Sequence, residues 1–202
     1  AYFHRMRAIN QRGPLVIGGV PELLPIPPAE LRGKLEAVVV VDIRSPASFA
    51  GGHIPGAYGI TLRDAFVSWL GWVAPPDKPL VFVLDDTAHP SIRTGQALEE
   101  ATRQAIRIGY DELAGYLEGG MPAWDNAGFP VEKSGLVTPK EVYKQLQSRN
   151  GFVVLDVRQD AEWKEARIPG AIHVELAELE ERVGELPRDA TFAVHCASGQ
   201  RC

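Results

Sequence analysis

One block of residues occurs twice in this chain, and that repeat limits the possible folds more than any other feature. Residues 38–41, then Asp42-Ile43-Arg44, Phe49 and His53-Ile54-Pro55-Gly56-Ala57, return as 153–155, Asp156-Val157-Arg158, Trp163 and Arg167-Ile168-Pro169-Gly170-Ala171. A single offset relates every member, so one structural unit is used twice. Each copy opens on a helix signal, Pro28-Ala29-Glu30 in the first and Thr138-Pro139-Lys140-Glu141 in the second. In the second, Thr138 can cap, Pro139 suits the first helical position and Glu141 completes a capping box. Val142, Tyr143 and Leu146 then form the apolar face of this helix, and Asn150-Gly151 ends it.

The apolar runs 38–41, 80–84, 152–155 and 192–194 are short, β-branched and without alternation, as parallel strands covered on both faces are. Residues 91–108 carry Leu98, Ala101, Ala105 and Ile108 at helical spacing, with Gly109 as a stop. A helix between strands implies a crossover connection. Residues 112–116 read as the last strand of the first unit. The expected fold is therefore α/β, two units, each a parallel sheet with helices on both faces. The boundaries read as a tail or linker over 1–24, a first domain over 25–133 and a second over 134–202. With the first copy as a ruler, the second is expected to be truncated after Cys202, lacking about forty residues that would hold a helix and a strand.

With 202 residues, 45% of them hydrophobic, and a net charge of −5, the chain has room for two modest domains and lacks the basic balance of a nucleic-acid binder. No apolar stretch approaches a membrane span, and Ala1-Tyr2-Phe3-His4-Arg5 has no signal-peptide core. Cys196 and Cys202 are the two cysteines, which gives no disulfide framework and points to a reducing cytoplasm. Neither an HxH nor a CxxC spacing occurs, so no metal or cofactor is expected.

The candidate chemistry lies at the end of the strand over 191–194, in His195-Cys196-Ala197-Ser198-Gly199-Gln200-Arg201. Open α/β sheets place ligand sites at strand carboxyl ends. In such a loop the backbone N–H groups form a concave anion site, and Arg201 adds a fixed charge with several donors. Both favour a thiolate at Cys196; the plainer alternative is a small buried hydrophobe. His195 is expected to point away from Cys196 and to be packed. Asp42 and Asp156 each precede an arginine, Arg44 and Arg158, by two residues, which reads as a structural ion pair or loop-orienting bond. His53, at the position of Arg167, reads as a local hydrogen-bonding residue. Aligning run 80–84 with the strand before Cys196 puts Asp85 at the cysteine's position, followed by Asp86, so the first unit is expected to be non-catalytic. A metal or acid/base pair at Asp85 and Asp86 is the sharper alternative; a solvated surface pair is the common one.

Asp156-Val157-Arg158, Glu162-Trp163, Ile168-Pro169-Gly170-Ala171 and the Cys-x-x-Gly-x-Arg loop over 196–201 together resemble a rhodanese (sulfurtransferase) domain. Residues 118–124 and 128–131 resemble the closing segment of such a domain. The resemblance implies two tandem rhodanese-like units, the first inactive and the second catalytic, with Cys196 carrying sulfur as a persulfide. It assigns Arg201 and the backbone of Ala197, Ser198, Gly199 and Gln200 to holding the anionic donor, with Asp156 and Arg158 in support. A helix N-terminus after the loop would further depress the Cys196 pKa. The implied partners are a small-molecule sulfur donor and a thiol or cyanide acceptor, with no nucleic acid or membrane. Cysteine phosphatases and arsenate reductases are a rival class, but their loop is one residue longer. Tyr2-Phe3-His4-Arg5-Met6 and Asn10-Gln11-Arg12-Gly13-Pro14 resemble the segment that joins a metallo-β-lactamase-fold persulfide dioxygenase to rhodanese modules. That implies a fused or partner dioxygenase domain, for which the units would serve as docking or sulfur-relay modules.

Overall fold

Short β-branched runs and the helices between them build two separate parallel sheets. The structure, a computed structural model, describes residues 7, 11, 18–85, 94–148 and 151–199. The chain divides into two units, residues 1–134 and 135–202. The first unit runs β1 (Pro25–Ile26), α1 (Pro28–Lys34), β2 (Val39–Asp42), α2 (Pro46–Gly51), β3 (Tyr58–Gly59), α3 (Phe66–Val73), β4 (Leu80–Val83), α4 (Thr94–Arg107), β5 (Leu113–Leu117) and α5 (Gly120–Asn126). Its strand order is β1-β5-β4-β2-β3, with every pair parallel.

All four residues of β2 and of β4 are buried, as their unbroken apolar runs require. Val39, Val41, Leu80 and Phe82 pack with Phe66 and Leu70 of α3 and Ala101 and Ala105 of α4. Val40, Val81 and Val83 belong to a second cluster with Leu31 of α1 and Met121 and Trp124 of α5. Trp124 is fully buried, and its indole N–H donates to Pro130 O at 2.9 Å, so its one polar atom is satisfied. Gly115 has φ +145° and lies so close to β1 that a Cβ would stand 2.3 Å from Leu24 O, so only glycine fits there. The predicted strand over 112–116 is observed one residue later. The predicted helix over 91–108 is observed as α4, and its first residues lie outside the described ones.

The second unit runs α6 (Pro139–Ser148), β6 (Phe152–Asp156), α7 (Asp160–Glu165), β7 (Ile172–His173), α8 (Leu179–Arg182) flanked by short 3₁₀ turns, and β8 (Thr191–His195). Its sheet order is β7-β6-β8, also all parallel. The expected capping box forms. Glu141 accepts from the Thr138 backbone N–H and hydroxyl, both at 2.7 Å, and donates its own N–H to Thr138 Oγ1 at 3.3 Å. On one side of the sheet Leu155, Val157, Val174 and Cys196 pack with Leu176, Leu179 and Leu186. The other side, where α6 lies, is more open. No residue of α6 is buried, Tyr143 is 67% exposed, and β8 leaves Thr191 and Val194 exposed. Among the described residues no helix is long and apolar enough to cross a membrane.

Candidate active site

Both copies of the repeat build the same clamp, at the carboxyl ends of β2 and β6. In the second unit Arg158 donates its backbone N–H and its Nε to Asp156 Oδ1 at 3.0 Å each, and its Nη2 to Oδ2 at 2.7 Å. The same Nη2 donates to Ala166 O at 2.7 Å, tying the strand end to the end of α7. In the first unit Arg44 bonds Asp42 in the same way, and its Nη2 donates to Gly52 O at 2.6 Å. These are the loop-orienting bonds that the Asp-x-Arg spacing predicted. A bidentate guanidinium fork fixes the backbone direction of the residues it joins.

Burial pushes the Asp156 carboxyl up, but the Arg158 hydrogen bonds outweigh it and hold the group below the usual carboxylate range. A carboxyl depressed on folding stabilises the fold above its unfolded value of about 3.9 and loses that contribution as pH falls through the lower folded value. Burial works against the charge on Arg44, while Asp42, with Asp85 3.6 Å away, outweighs it and raises the guanidinium pKa.

β8 pairs with β6 in a register that sets His195 opposite Asp156. His195 Nε2 lies 3.9 Å from Asp156 Oδ2, and the ring is about a third exposed. The expectation of a packed histidine is corrected: the strand end that holds it is open on that side. Cys196 follows on the opposite face, buried beside Leu155, Val157 and Val174. Gly199 adopts φ +72°, and its N–H donates to Cys196 Sγ at 3.0 Å. That left-handed residue curls the loop so that an amide three positions on aims back at the sulfur. Ala197, Ser198 and Gly199 are exposed around it. Gln200 and Arg201 lie outside the described residues, as do Asp86 and Cys202. Among the described residues no group of three or more His, Cys, Asp or Glu side chains could hold a metal ion.

The ladder corrects one alignment. Val83 O accepts the Ile43 N–H at 2.9 Å, and His195 O accepts the Val157 N–H at 3.0 Å, so Val83 and His195 are equivalent. Leu84, not Asp85, therefore stands where Cys196 stands, and Asp85 corresponds to Ala197. The two clusters agree: Leu84 packs with Val41, Ile43 and Ile60, and Cys196 with Leu155, Val157 and Val174. The first unit still has no thiol there, and Asp85 is engaged with Arg44. The proximity of His195 to Asp156 had no signal in the sequence, because it depends on which residues face each other across β6 and β8.

The surroundings of Trp163 also differ between the copies. Its ring stacks on His173 at 4.7 Å and 4° and carries Arg167 over it at 5.7 Å. Phe49, its counterpart, stacks on His53 at 3.8 Å, and His53 Nδ1 is 2.8 Å from Phe49 O.

Comparison with known proteins bears on both units. The chain is 33% identical over 120 residues to an uncharacterised protein of Synechocystis sp., covering 59% of this chain and 60% of that protein. It is 39% identical over 62 residues to the putative sulfur carrier protein YrkF of Bacillus subtilis, covering 30% of this chain and 34% of that one. It is 26% identical over 238 residues to the thiosulfate sulfurtransferase of Pseudomonas aeruginosa, covering 88% and 84%. The chain thus spans 60% of the Synechocystis relative's length and 34% of the Bacillus one's. The rhodanese-like domain family matches residues 27–127 and again 138–202, one segment for each sheet. This chain belongs to the rhodanese-like domain family, with two such units of which the second is the smaller.

Proposed function

We propose that the chain is a sulfurtransferase that moves a sulfane sulfur from thiosulfate or a persulfide donor to a thiol or cyanide acceptor. The observation that carries this reading is the Gly199 N–H directed at Cys196 Sγ at the end of β8. A donor on the sulfur favours the thiolate, which is the nucleophilic form. In the first step the Cys196 thiolate attacks the outer sulfur of thiosulfate. A cysteine–sulfur bond forms, the donor's sulfur–sulfur bond breaks, and sulfite leaves with the bonding pair. In the second step a thiolate or cyanide attacks the terminal sulfur of the persulfide, giving a new persulfide or thiocyanate and restoring the Cys196 thiolate.

Arg201 and the backbone N–H groups over 197–201 hold the anionic donor and stabilise the departing group, with Ser198 adding a hydrogen bond. The Asp156–Arg158 clamp supports the strand end behind the loop. The relative named a thiosulfate sulfurtransferase supports this reading. A sulfur-relay role is the second reading, supported by the relative named a putative sulfur carrier protein. A persulfide dioxygenase partner, fused or separate, and a cytoplasmic location belong to the same proposal.

Incubating the full chain with thiosulfate is expected to add one sulfur atom, seen by intact-protein mass spectrometry and mapped to Cys196. Cys202→Ser should keep the adduct and Cys196→Ser should lose it; the reverse pattern would overturn the assignment.

The corrected register changes which substitution tests the first unit. On a Cys196→Ser background, Leu84→Cys is expected to gain no sulfur from thiosulfate, because the Asp85 carboxylate stands where Ala197 leaves the anion loop open. An adduct of one sulfur on that variant would show that the first unit lacks only its thiol.

A further inference from the structure

The first unit contains a cavity of about 460 Å³ that the thiol chemistry leaves unused. It lies just past the carboxyl ends of β2 and β4, the end at which open α/β sheets hold ligands. Its floor is the Arg44–Asp85 pair at 3.6 Å. Arg44 commits its Nε and Nη2 to Asp42 and Gly52 O, so its charge is already met within the protein. One wall is α5, where Met121 and Asp125 stand one turn apart on a shared face. The other is the segment that follows α5, where Val131 and Lys133 both line the cavity and Glu132 between them turns to His53. Both walls are fixed before any ligand arrives. His53 and Glu132 exchange backbone N–H to O bonds at 2.9 Å each, the Ser134 N–H donates to Ala50 O at 3.0 Å, and the Trp124 indole N–H of α5 donates to Pro130 O at 2.9 Å. A Cβ on Gly52 would stand 3.0 Å from Val131 Cγ1, so the second wall packs closely on the end of α2.

The charges at the rim select the ligand. Asp125 and Lys133 are exposed, opposite in sign and on different walls. Among the described residues neither has an ion-pair partner, so they share one cavity without meeting each other. A solute with one ammonium and one carboxylate satisfies both. Between them buried Met121 and half-buried Val131 offer an apolar surface to an uncharged side chain. We propose that this cavity binds a free α-amino acid with an apolar side chain, its ammonium on Asp125 and its carboxylate on Lys133. The volume suits such a solute, since small-molecule pockets run from about 300 to 1,000 Å³. The interior of a peptide carries neither charge and is not recognised. The site is independent of Cys196, so it stands or falls apart from the sulfurtransferase reading.

The test is calorimetric titration of the full chain with L-methionine, whose unbranched side chain adapts to an irregular apolar wall. Saturable binding is expected, with a Kd of about 1 mM or tighter. N-acetyl-L-methionine, which lacks the ammonium, and L-methionine methyl ester, which lacks the carboxylate, should each bind at least about tenfold more weakly, the scale of one charge-assisted contact. Asp125→Asn and Lys133→Gln, both at exposed positions, should weaken L-methionine binding as much with the thermal midpoint unchanged. Cys196→Ser should bind like the unaltered chain. No saturable binding, or binding indifferent to both rim substitutions, would overturn the inference. Methyl ester bound as tightly as L-methionine would overturn it by assigning a site for cations alone, and loss of binding in Cys196→Ser would do so by moving the ligand to the thiol loop.

Discussion

Cys196→Ser is expected to lower thiocyanate formation from thiosulfate and cyanide by at least about a thousandfold, the scale on which loss of a covalent nucleophile is felt. A serine hydroxyl is not ionised near neutral pH and cannot form the sulfur–sulfur bond that carries the transferred atom. The fold should change little. The new hydroxyl sits among Leu155, Val157 and Val174, which costs about 1–3 kcal/mol for a buried polar group without a partner. Gly199, whose N–H now meets the sulfur, can donate to the serine oxygen and offset part of that. Turnover and thermal unfolding should therefore separate: a collapsed rate with a midpoint only a few degrees lower. Turnover that survives in Cys196→Ser would remove Cys196 from the mechanism. Cys196→Ala, which buries no hydroxyl, guards against reading a folding defect as a chemical one.

Asp42→Ala is expected to destabilise the first unit by about 3 kcal/mol, at the lower end of the range for breaking a buried ion pair. The loss comes less from the attraction removed than from the guanidinium left behind. The Arg44 side chain is only 5% exposed, so it cannot turn to water, and three of its hydrogen bonds end on Asp42, beside a fourth from the Arg44 backbone N–H. Asp85, 3.6 Å away, and Gly52 O give partial compensation, which is why the lower end applies. Asp156→Ala should cost less, about 1–3 kcal/mol, because the Arg158 side chain is 13% exposed and can be hydrated. Urea unfolding, followed by probes in each unit, measures both. An Asp42→Ala loss below that of Asp156→Ala would mean that burial does not set the strength of the clamp.

The repeat, the strands, the Thr138–Glu141 box and both clamps were legible because each is written in local residue types at fixed spacing. Register was not. A run such as Leu80-Val81-Phe82-Val83-Leu84 reads the same after a slip of one residue, and only its bonds to β2 decide where it ends. That slip misplaced Asp85 by one position. The two-residue strands β1, β3 and β7 are too short to show any periodicity. Val142 and Leu146, with Tyr143 beside them, have the helical spacing of an apolar face, yet spacing says only which residues share a face and not whether anything covers it. At the site, the place of Cys196 directly after β8 was legible. The Gly199 N–H on the sulfur and the His195–Asp156 approach follow from backbone geometry that no residue type announces.

The reach of the arginine clamp bears on the order in which contacts can form as the chain collapses. Arg44 and Arg158 each grasp a carboxylate two residues back and a carbonyl eight residues on. Closing so short a segment sacrifices little chain entropy. Pairing Val39 with Leu80 spans roughly two further doublings of loop length, about 0.6 kcal/mol each. A strand end, a bend and the following helix are thus stitched together by contacts nearly as local as a turn. Distant strands then meet a partner whose exit direction is already set, and each unit carries its own copy of that early constraint.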